Sequence, residues 1–313
     1  MSMKAIRIHG RGGPNDLKYE DAPIPLPQIG EALIKVHAVA VTPLELTWEP
    51  THTTCDGRNR ELPIPGHEFS GVISQLGDIN NNFRVGDEVY GRIQSNRDGA
   101  QAEFVIVEIP EIARKPKRLD HVQSAAMALS ALTAWQSFFV HADLQKGQGV
   151  LITGAAGGVG LFAVQLAKWK GAYIIGTGST RNVEFIRDAG ANEVVDYTTT
   201  ALEDAVSNVD LVLDCVGGDT LLQCDSVVKD GGTVITVATP FPSREWTQSQ
   251  RVNHAWFIAG PDGQTLQKIA LLADEGWLKP VVERVLPLSE AQQAYEIGAS
   301  GQGRGKVVLR VSE

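Results

Sequence analysis

The chain has few of the features that mark specialised protein classes. It carries three cysteines, Cys55, Cys215 and Cys224, and no CxxC pair. That count excludes a four-cysteine zinc site and a disulfide-stapled scaffold. A surplus of positive charge is missing, since 28 basic against 37 acidic side chains leave a net −9. Phosphate-rich partners call for a basic face, so neither nucleic acid nor an anionic membrane is an expected partner. Long apolar runs are missing too. The uncharged stretch 147–167 contains six glycines, and 121–142 is interrupted by Gln, Ser, Thr and two His. Neither is the run of about 20 apolar residues that a spanning helix requires. The opening MSMKAIRIHG has no apolar signal core, so a reducing cytoplasm is the expected compartment.

What is present is an ordinary globular composition, 43% apolar and 21% charged, over 313 residues. That length suggests two domains or one large one. The first third is strand-like. Alternating or apolar runs at 4–9, 31–41, 69–75, 88–93 and 102–108 are separated by turn signals at Leu76-Gly77-Asp78 and Val85-Gly86-Asp87. The Pro-rich segment 23–27 is expected to be extended. After Lys117 the pattern changes. Asp120 can cap a helix running over 125–139. Short apolar runs at 150–153, 173–177, 193–195, 211–215 and 233–238 then alternate with helical windows, the pattern of a parallel sheet covered on both faces. A last helix fits 265–274, and the tail at 280–285 and 306–311 is strand-like again. The expected division is a β-rich domain at 1–118, an α/β domain at 119–280, and a return to the first domain over 281–313.

The most informative segment is Gly149-Val-Leu-Ile-Thr-Gly154-Ala-Ala156-Gly157-Gly158-Val159-Gly160. Its glycines follow an apolar strand, open an amphipathic helix and lead to a second strand, the context of a dinucleotide-binding loop. Residues without side chains let a pyrophosphate approach the backbone, and the helix N-terminus offers free N–H groups. The alternative is that these glycines serve helix–strand packing alone. At the end of the second strand the residues run Gly176-Thr-Gly-Ser179-Thr-Arg181-Asn182, with no acid before Glu184. Hydroxyls and an arginine suit a 2′-phosphate, which makes NADPH the expected cofactor.

At this point the chain resembles the medium-chain dehydrogenase/reductase superfamily, most closely its zinc-free quinone oxidoreductase (zeta-crystallin-like) branch. The resemblance rests on Pro63-Ile-Pro-Gly-His67-Glu68-Phe-Ser-Gly71, Val85-Gly-Asp-Glu-Val-Tyr-Gly91, Leu132-Thr133-Ala-Trp135, the glycine loop, Asp214-Cys-Val-Gly-Gly218 and Gly303-Arg-Gly-Lys306. It implies a Rossmann doubly wound parallel sheet plus a GroES-like β-rich domain, an active site in the cleft between them, and a homodimer. It implies that Thr133 lies near the nicotinamide and that Ser179, Arg181 and Tyr197 surround the 2′-phosphate. Val216, Gly217, Val237 and Ala238 would line the nucleotide, Phe257 and Ile258 the nicotinamide ring, and Lys306 the cleft. For Val216, Val237, Phe257 and Tyr197 the alternative is an ordinary packing role.

Zinc-dependent relatives use a cysteine after the third strand, the His of a GHE motif and a further ligand. Here Thr42 stands in the cysteine's place, and no Cys, Asp or Glu occurs around Ala126-Met127-Ala128. One imidazole and one carboxylate do not make the usual three-ligand site. His67 is expected to bond the backbone of its own turn, and a site improvised from His52, Cys55, His67 and Glu68 is not demanded by their spacing. The chain also lacks a Tyr-x-x-x-Lys pair, the signature of short-chain dehydrogenases. Without a metal, hydride must go to an acceptor that disperses charge itself, a quinone or an α,β-unsaturated carbonyl, with the hydroxyls of Thr42 and Thr133 as oxyanion donors. Glu45 stands where relatives often have Asp, and Trp48 borders the expected pocket, where it either stacks on a flat substrate or closes the core. Two other classes remain open at this level: a non-catalytic NADPH-binding sensor or structural protein, and a zinc alcohol dehydrogenase with unusual ligands.

Overall fold

The computed structural model describes residues 1–11, 13–77, 82–238, 251–301 and 303–312. Asp78 of the expected 76–78 turn lies outside them. Two compact units emerge, Met1–Leu129 together with Gly260–Glu313, and Ser130–Ala259.

The first unit is the β-rich one. Its main sheet runs Val282–Pro287, Lys306–Arg310, Glu31–Ala40, Glu68–Leu76, Glu88–Arg92, Ile112–Arg114, with Phe104–Glu108 paired to the far half of Glu31–Ala40. Glu31–Ala40 is the central strand, with three antiparallel partners. It is sealed nearly throughout: Ala32, Ile34, Val36, Ala38, Val39 and Ala40 are each 0% exposed. A strand covered on both faces has no reason to alternate, which explains the interruptions in its sequence pattern. The tail does rejoin this sheet, Lys306–Arg310 pairing with Glu31–Ala40. A separate hairpin joins Ser2–Ile8 to Leu17–Pro23.

The second unit holds six parallel strands: Gly149–Ile152, Tyr173–Gly178, Glu193–Asp196, Val209–Asp214, Val228–Thr236 and Asn253–Trp256. Numbered along the chain, their order across the sheet is 3-2-1-4-5-6. This is the doubly wound arrangement, and its order reverses between strands one and four, where ligands of such sheets bind. The helix Gly158–Lys170 follows strand one. It buries Leu161, Phe162, Val164 and Leu166 and stops at Gly171, whose φ of 82° few other residues tolerate.

Two expectations need correction. The boundaries placed at 118/119 and 280/281 both fall inside the first unit. The helix Gly263–Asp274 belongs there because the buried Tyr90 hydroxyl donates to Leu266 O at 2.6 Å, and the Arg118 amide to Asp274 Oδ1 at 3.0 Å. The helix expected over 125–139 is also broken. Asp120 caps His121–Ala125 through a reciprocal box with Gln123, a second helix spans Ala128–Gln136, and a wider π turn covers Ser137–His141. The break lets the Leu129 amide, in the second helix's first turn, donate to Glu68 Oε2 at 3.1 Å. A buried carboxylate at a helix N-terminus satisfies free donors and meets the favourable end of the dipole. Three short strands, Leu17–Pro23, Ile112–Arg114 and Asn253–Trp256, carry too little periodicity to be seen in the sequence.

Removing the Tyr90 hydroxyl takes away a second donor from a carbonyl that keeps its helical partner. Tyr90→Phe should lower the unfolding free energy by about 0.5–1.5 kcal/mol, read from urea denaturation.

Candidate active site

The glycine loop sits at the reversal point of the six-stranded sheet, and its three spaced glycines answer to different demands. Gly154 adopts φ +60°, and its amide donates to Thr177 Oγ1 of strand two at 3.2 Å. A Cβ on Gly160 would lie 2.3 Å from Gly154 O, so that residue is needed for helix and loop to touch. Gly157 is different. Its φ of −77° suits any residue, and a Cβ there would meet only Gly154 O at 3.3 Å. Conformation does not require glycine at 157, and the one close contact asks the Gly154 carbonyl to give by only a few tenths of an ångström, far less than at Gly160. The missing side chain instead leaves open backbone at the start of a 13-residue helix that no side chain caps. With Ala156, Gly158 and Val159, this is a cradle that fits a dinucleotide pyrophosphate.

Asp214 organises the neighbouring strand ends. It is 0% exposed, yet every donor around it converges: Thr153 Oγ1 at 2.8 Å, Thr236 Oγ1 at 2.8 Å, the Val216 amide at 3.1 Å and the Gly217 amide on both oxygens at 3.1 and 3.0 Å. Strands one, four and five are thus tied at their C-terminal ends. Val216, 53% exposed, and the half-buried Val237 and Ala238 project from those ends. Gly217 takes φ 77° to let the chain turn into the next helix. The thiols of Cys215 and Cys224 are both pushed up by burial, with Asp214 adding to the effect, so neither is an available thiolate.

At the end of strand two, Ser179 opens the turn Thr180–Asn182, with Arg181 exposed. The Tyr197 amide donates to Gly178 O at 3.2 Å, bringing Tyr197, 64% exposed, alongside Ser179. Sequence reasoning missed Asp196. The carboxylate, from strand three, accepts from Thr180 Oγ1 at 2.6 Å and Thr198 Oγ1 at 2.6 Å, bonds that hold it below the usual carboxylate range. Among these neighbours, Ser179, Arg181 and Tyr197 are the residues that suit a 2′-phosphate. Thr133 is 6% exposed, and its carbonyl accepts from Ser137 Oγ at 2.8 Å. Phe257 stacks on His141, centroids 4.2 Å apart, and Ile258 is exposed beside it.

The first unit contributes a second polar cluster. Glu45, 1% exposed, accepts from His67 Nδ1 at 2.7 Å, from the Gly66 amide at 3.0 Å and from the Tyr295 hydroxyl, which in turn accepts from Gln101 Nε2 at 2.8 Å. His67 therefore bonds a carboxylate rather than the backbone of its own turn. A buried carboxylate is costly without donors, and the protein supplies them from segments 250 residues apart. Burial pushes the Glu45 carboxyl up. The hydrogen bond and charge of His67, with Tyr295 and the Gly66 amide, outweigh that and hold it below its ordinary value. Next to it in sequence, Glu68 is also 1% exposed. Its Oε1 accepts from Thr42 Oγ1 at 2.9 Å and pairs with Lys306 Nζ, which itself donates to Thr42 Oγ1 at 2.9 Å. The structure thus brings Lys306 to Thr42 and Glu68. Trp48 is half-buried, its ring centroid 6.4 Å from that of His67.

Comparison with known proteins agrees with this architecture. Residues 28–117 match the alcohol dehydrogenase GroES-like domain, and residues 189–309 match the zinc-binding dehydrogenase family. The chain is 36% identical to a probable zinc-binding oxidoreductase, mitochondrial, of Arthroderma benhamiae, over 94% of this chain and 93% of the relative. It is 33% identical to the NAD(P)H oxidoreductase RTN4IP1, mitochondrial, of Mus musculus, over 90% and 82%. The solved quinone oxidoreductase from Coxiella burnetii superposes with a TM-score of 0.90 at 31% identity, over the whole of both chains.

Zinc in two of these descriptions calls for a test of the residues present. A carboxylate behind a histidine is how zinc-binding imidazoles are held, and His67 Nε2 is buried with no partner among the described residues. The remaining ligands do not fit. Thr42 offers a neutral hydroxyl, both Glu68 oxygens are engaged, His52 Nε2 bonds Leu46 O at 2.8 Å, and Cys55 is exposed. No group of three or more His, Cys, Asp or Glu converges among the described residues.

The Glu45 cluster carries a pH signature. A carboxyl held below its unfolded value stabilises the fold above about pH 4.3, and that contribution is lost as pH falls through the lower, folded value. Glu45→Gln should cost about 3–5 kcal/mol at neutral pH. It should also flatten the acid limb of stability, measured as urea midpoint against pH.

Proposed function

Because the chain belongs to the medium-chain dehydrogenase/reductase superfamily and is an oxidoreductase, we propose that it is an NADPH-dependent, zinc-independent reductase of quinones or α,β-unsaturated carbonyls. The observation that carries the cofactor half is Gly157, whose backbone conformation suits any residue and whose missing side chain leaves the uncapped helix start open for a pyrophosphate. Ser179, Arg181 and Tyr197 favour the phosphorylated ribose, Arg181 by a charge-assisted bond. The bound NADPH supplies hydride.

The protein's own part is binding, orientation and oxyanion stabilisation. Val216, Gly217, Val237 and Ala238 line the nucleotide from the strand ends that Asp214 fixes. Thr133, Phe257 and Ile258 attend the nicotinamide, where a half-buried aromatic on His141 gives a rigid apolar wall. Thr42 in the first unit and Thr133 in the second each offer a hydroxyl suited to an oxygen on which negative charge develops. Such donors suffice where conjugation spreads the charge, whereas a simple ketone needs the several kcal/mol that a metal provides. The donor set around Glu68, a hydroxyl and an ammonium in place of metal ligands, is the support for conjugated acceptors.

The test is NADPH oxidation by the purified chain against a panel of quinones and enones, with simple ketones as controls. Turnover confined to conjugated acceptors is the expected result. Cofactor binding without turnover of any panel member would favour a sensor or structural role instead. Gly157→Leu should abolish dinucleotide binding in a fluorescence titration while leaving the circular dichroism spectrum intact. Arg181→Glu should weaken NADPH by about 10–100-fold and NADH far less, since it removes a charged hydrogen bond to the phosphate alone. Equal losses would show that Arg181 does not meet the 2′-phosphate. Thr133→Val should lower kcat by about 10²-fold with little change in cofactor affinity.

A further inference from the structure

Thr42, Glu68 and Lys306 form a closed triangle of polar contacts whose chemistry exceeds that of an ion pair. Glu68 Oε1 receives two donors, Thr42 Oγ1 at 2.9 Å and Lys306 Nζ, while Oε2 is held by the Leu129 amide at 3.1 Å. The carboxylate is therefore fixed at both oxygens and oversupplied at one. Thr42 can turn its proton elsewhere, and Glu68 remains paired. Lys306 Nζ meanwhile donates to Thr42 Oγ1 at 2.9 Å, drawing electron density from the O–H bond and standing ready to replace its proton. Exposure grades in the required sense: Glu68 is sealed at 1% and the Lys306 side chain is 10% exposed, while Thr42 keeps partial access.

We propose that Lys306 is a positioning residue that makes Thr42 the delivering end of a proton relay, Lys306 Nζ to Thr42 Oγ1 to the substrate oxygen, with Glu68 as its fixed anion. The proposal rests on the reductase reading above. As the acceptor takes hydride from the dinucleotide, the Thr42 O–H bond breaks and a new O–H bond forms on the acceptor oxygen. Thr42 Oγ1 takes a proton from Lys306 Nζ, and the neutral amine is reprotonated by water. Each turnover thus consumes one hydride from the cofactor and one proton from solvent. An enone leaves as its enol, which tautomerises in water, and a quinone as its hydroquinone.

Two measurements on the full chain test the relay, and only one needs turnover. The first is kcat with a quinone and an enone. Lys306→Met should lower kcat by about 10²-fold, the scale of one oxyanion donor, with the KM for NADPH within about twofold. Lys306→Arg, still charged but unable to release its proton, should leave kcat near the Lys306→Met value. The second is titration of 4-nitrophenol, whose phenol and phenolate absorb differently. The wild type should bind the phenolate and shift its ionisation to lower pH by about one unit, a tenfold preference. Lys306→Met should abolish that shift. So should Thr42→Val, which keeps the Lys306–Glu68 pair and guards against a folding artefact.

A Lys306→Met enzyme with wild-type kcat, or a wild type that leaves nitrophenol ionisation unshifted, overturns the relay. A wild type that reduces no quinone or enone, yet binds nitrophenolate in a Lys306-dependent way, overturns the reductase reading and with it the relay step, while the Thr42–Lys306 pair stands as an oxyanion-binding contact.

Discussion

A carboxylate removed from water must have hydrogen-bond donors at both oxygens, or the fold bears the cost of an uncompensated charge. That constraint governs both units of this protein. Asp214 meets it with two threonine hydroxyls and two amides drawn from three strands. Glu45 meets it with an imidazole, an amide and a tyrosine, and Glu68 with a hydroxyl, an ammonium and a helix amide. Each carboxylate sits where chain segments converge, so satisfying it also fixes their relative positions. The strand ends that would line a dinucleotide, and the hydroxyl that would meet a substrate oxygen, are both held by such anchors.

This division explains what could be read from the sequence. The glycine loop was legible because its cause is local: within seven residues, one glycine serves conformation, one packing and one open backbone. Five of the six parallel strands were legible in outline because each apolar run is buried by the same sheet. The carboxylate networks were not, although their residues stood in recognisable motifs. Asp214 meets Thr153 across 61 positions, Glu45 meets Tyr295 across 250, and Thr42 meets Lys306 across 264. Nothing within a local window announces such partners. Asp196 escaped notice for a related reason, since strand three brings it to Thr180 only once the parallel register is formed.

The boundaries between the units were misplaced by the same limit. Composition changes near residue 118, where strands give way to helices, yet the helices His121–Ala125 and Gly263–Asp274 belong with the β-rich unit. A helix joins the unit whose surface it covers, and the Tyr90 hydroxyl on Leu266 O records that choice in a way composition does not.

Glu68 also bears on the choice of acceptor. A divalent metal beside a carboxylate retains net positive charge to place on a carbonyl oxygen. An ammonium beside a carboxylate is neutralised by it, and its remaining influence is directional: it orients and polarises the hydroxyl that both groups touch. Such a hydroxyl can meet an oxyanion that forms readily but cannot force one to form. Charge that conjugation already spreads over a quinone ring or an enolate needs no more than that, whereas an isolated ketone or aldehyde does. On the reductase reading proposed above, the pairing of Lys306 with Glu68 would act as a selectivity device as well as a structural tie, since a neutralised ammonium would lower the barrier only for acceptors that have done most of the electronic work themselves.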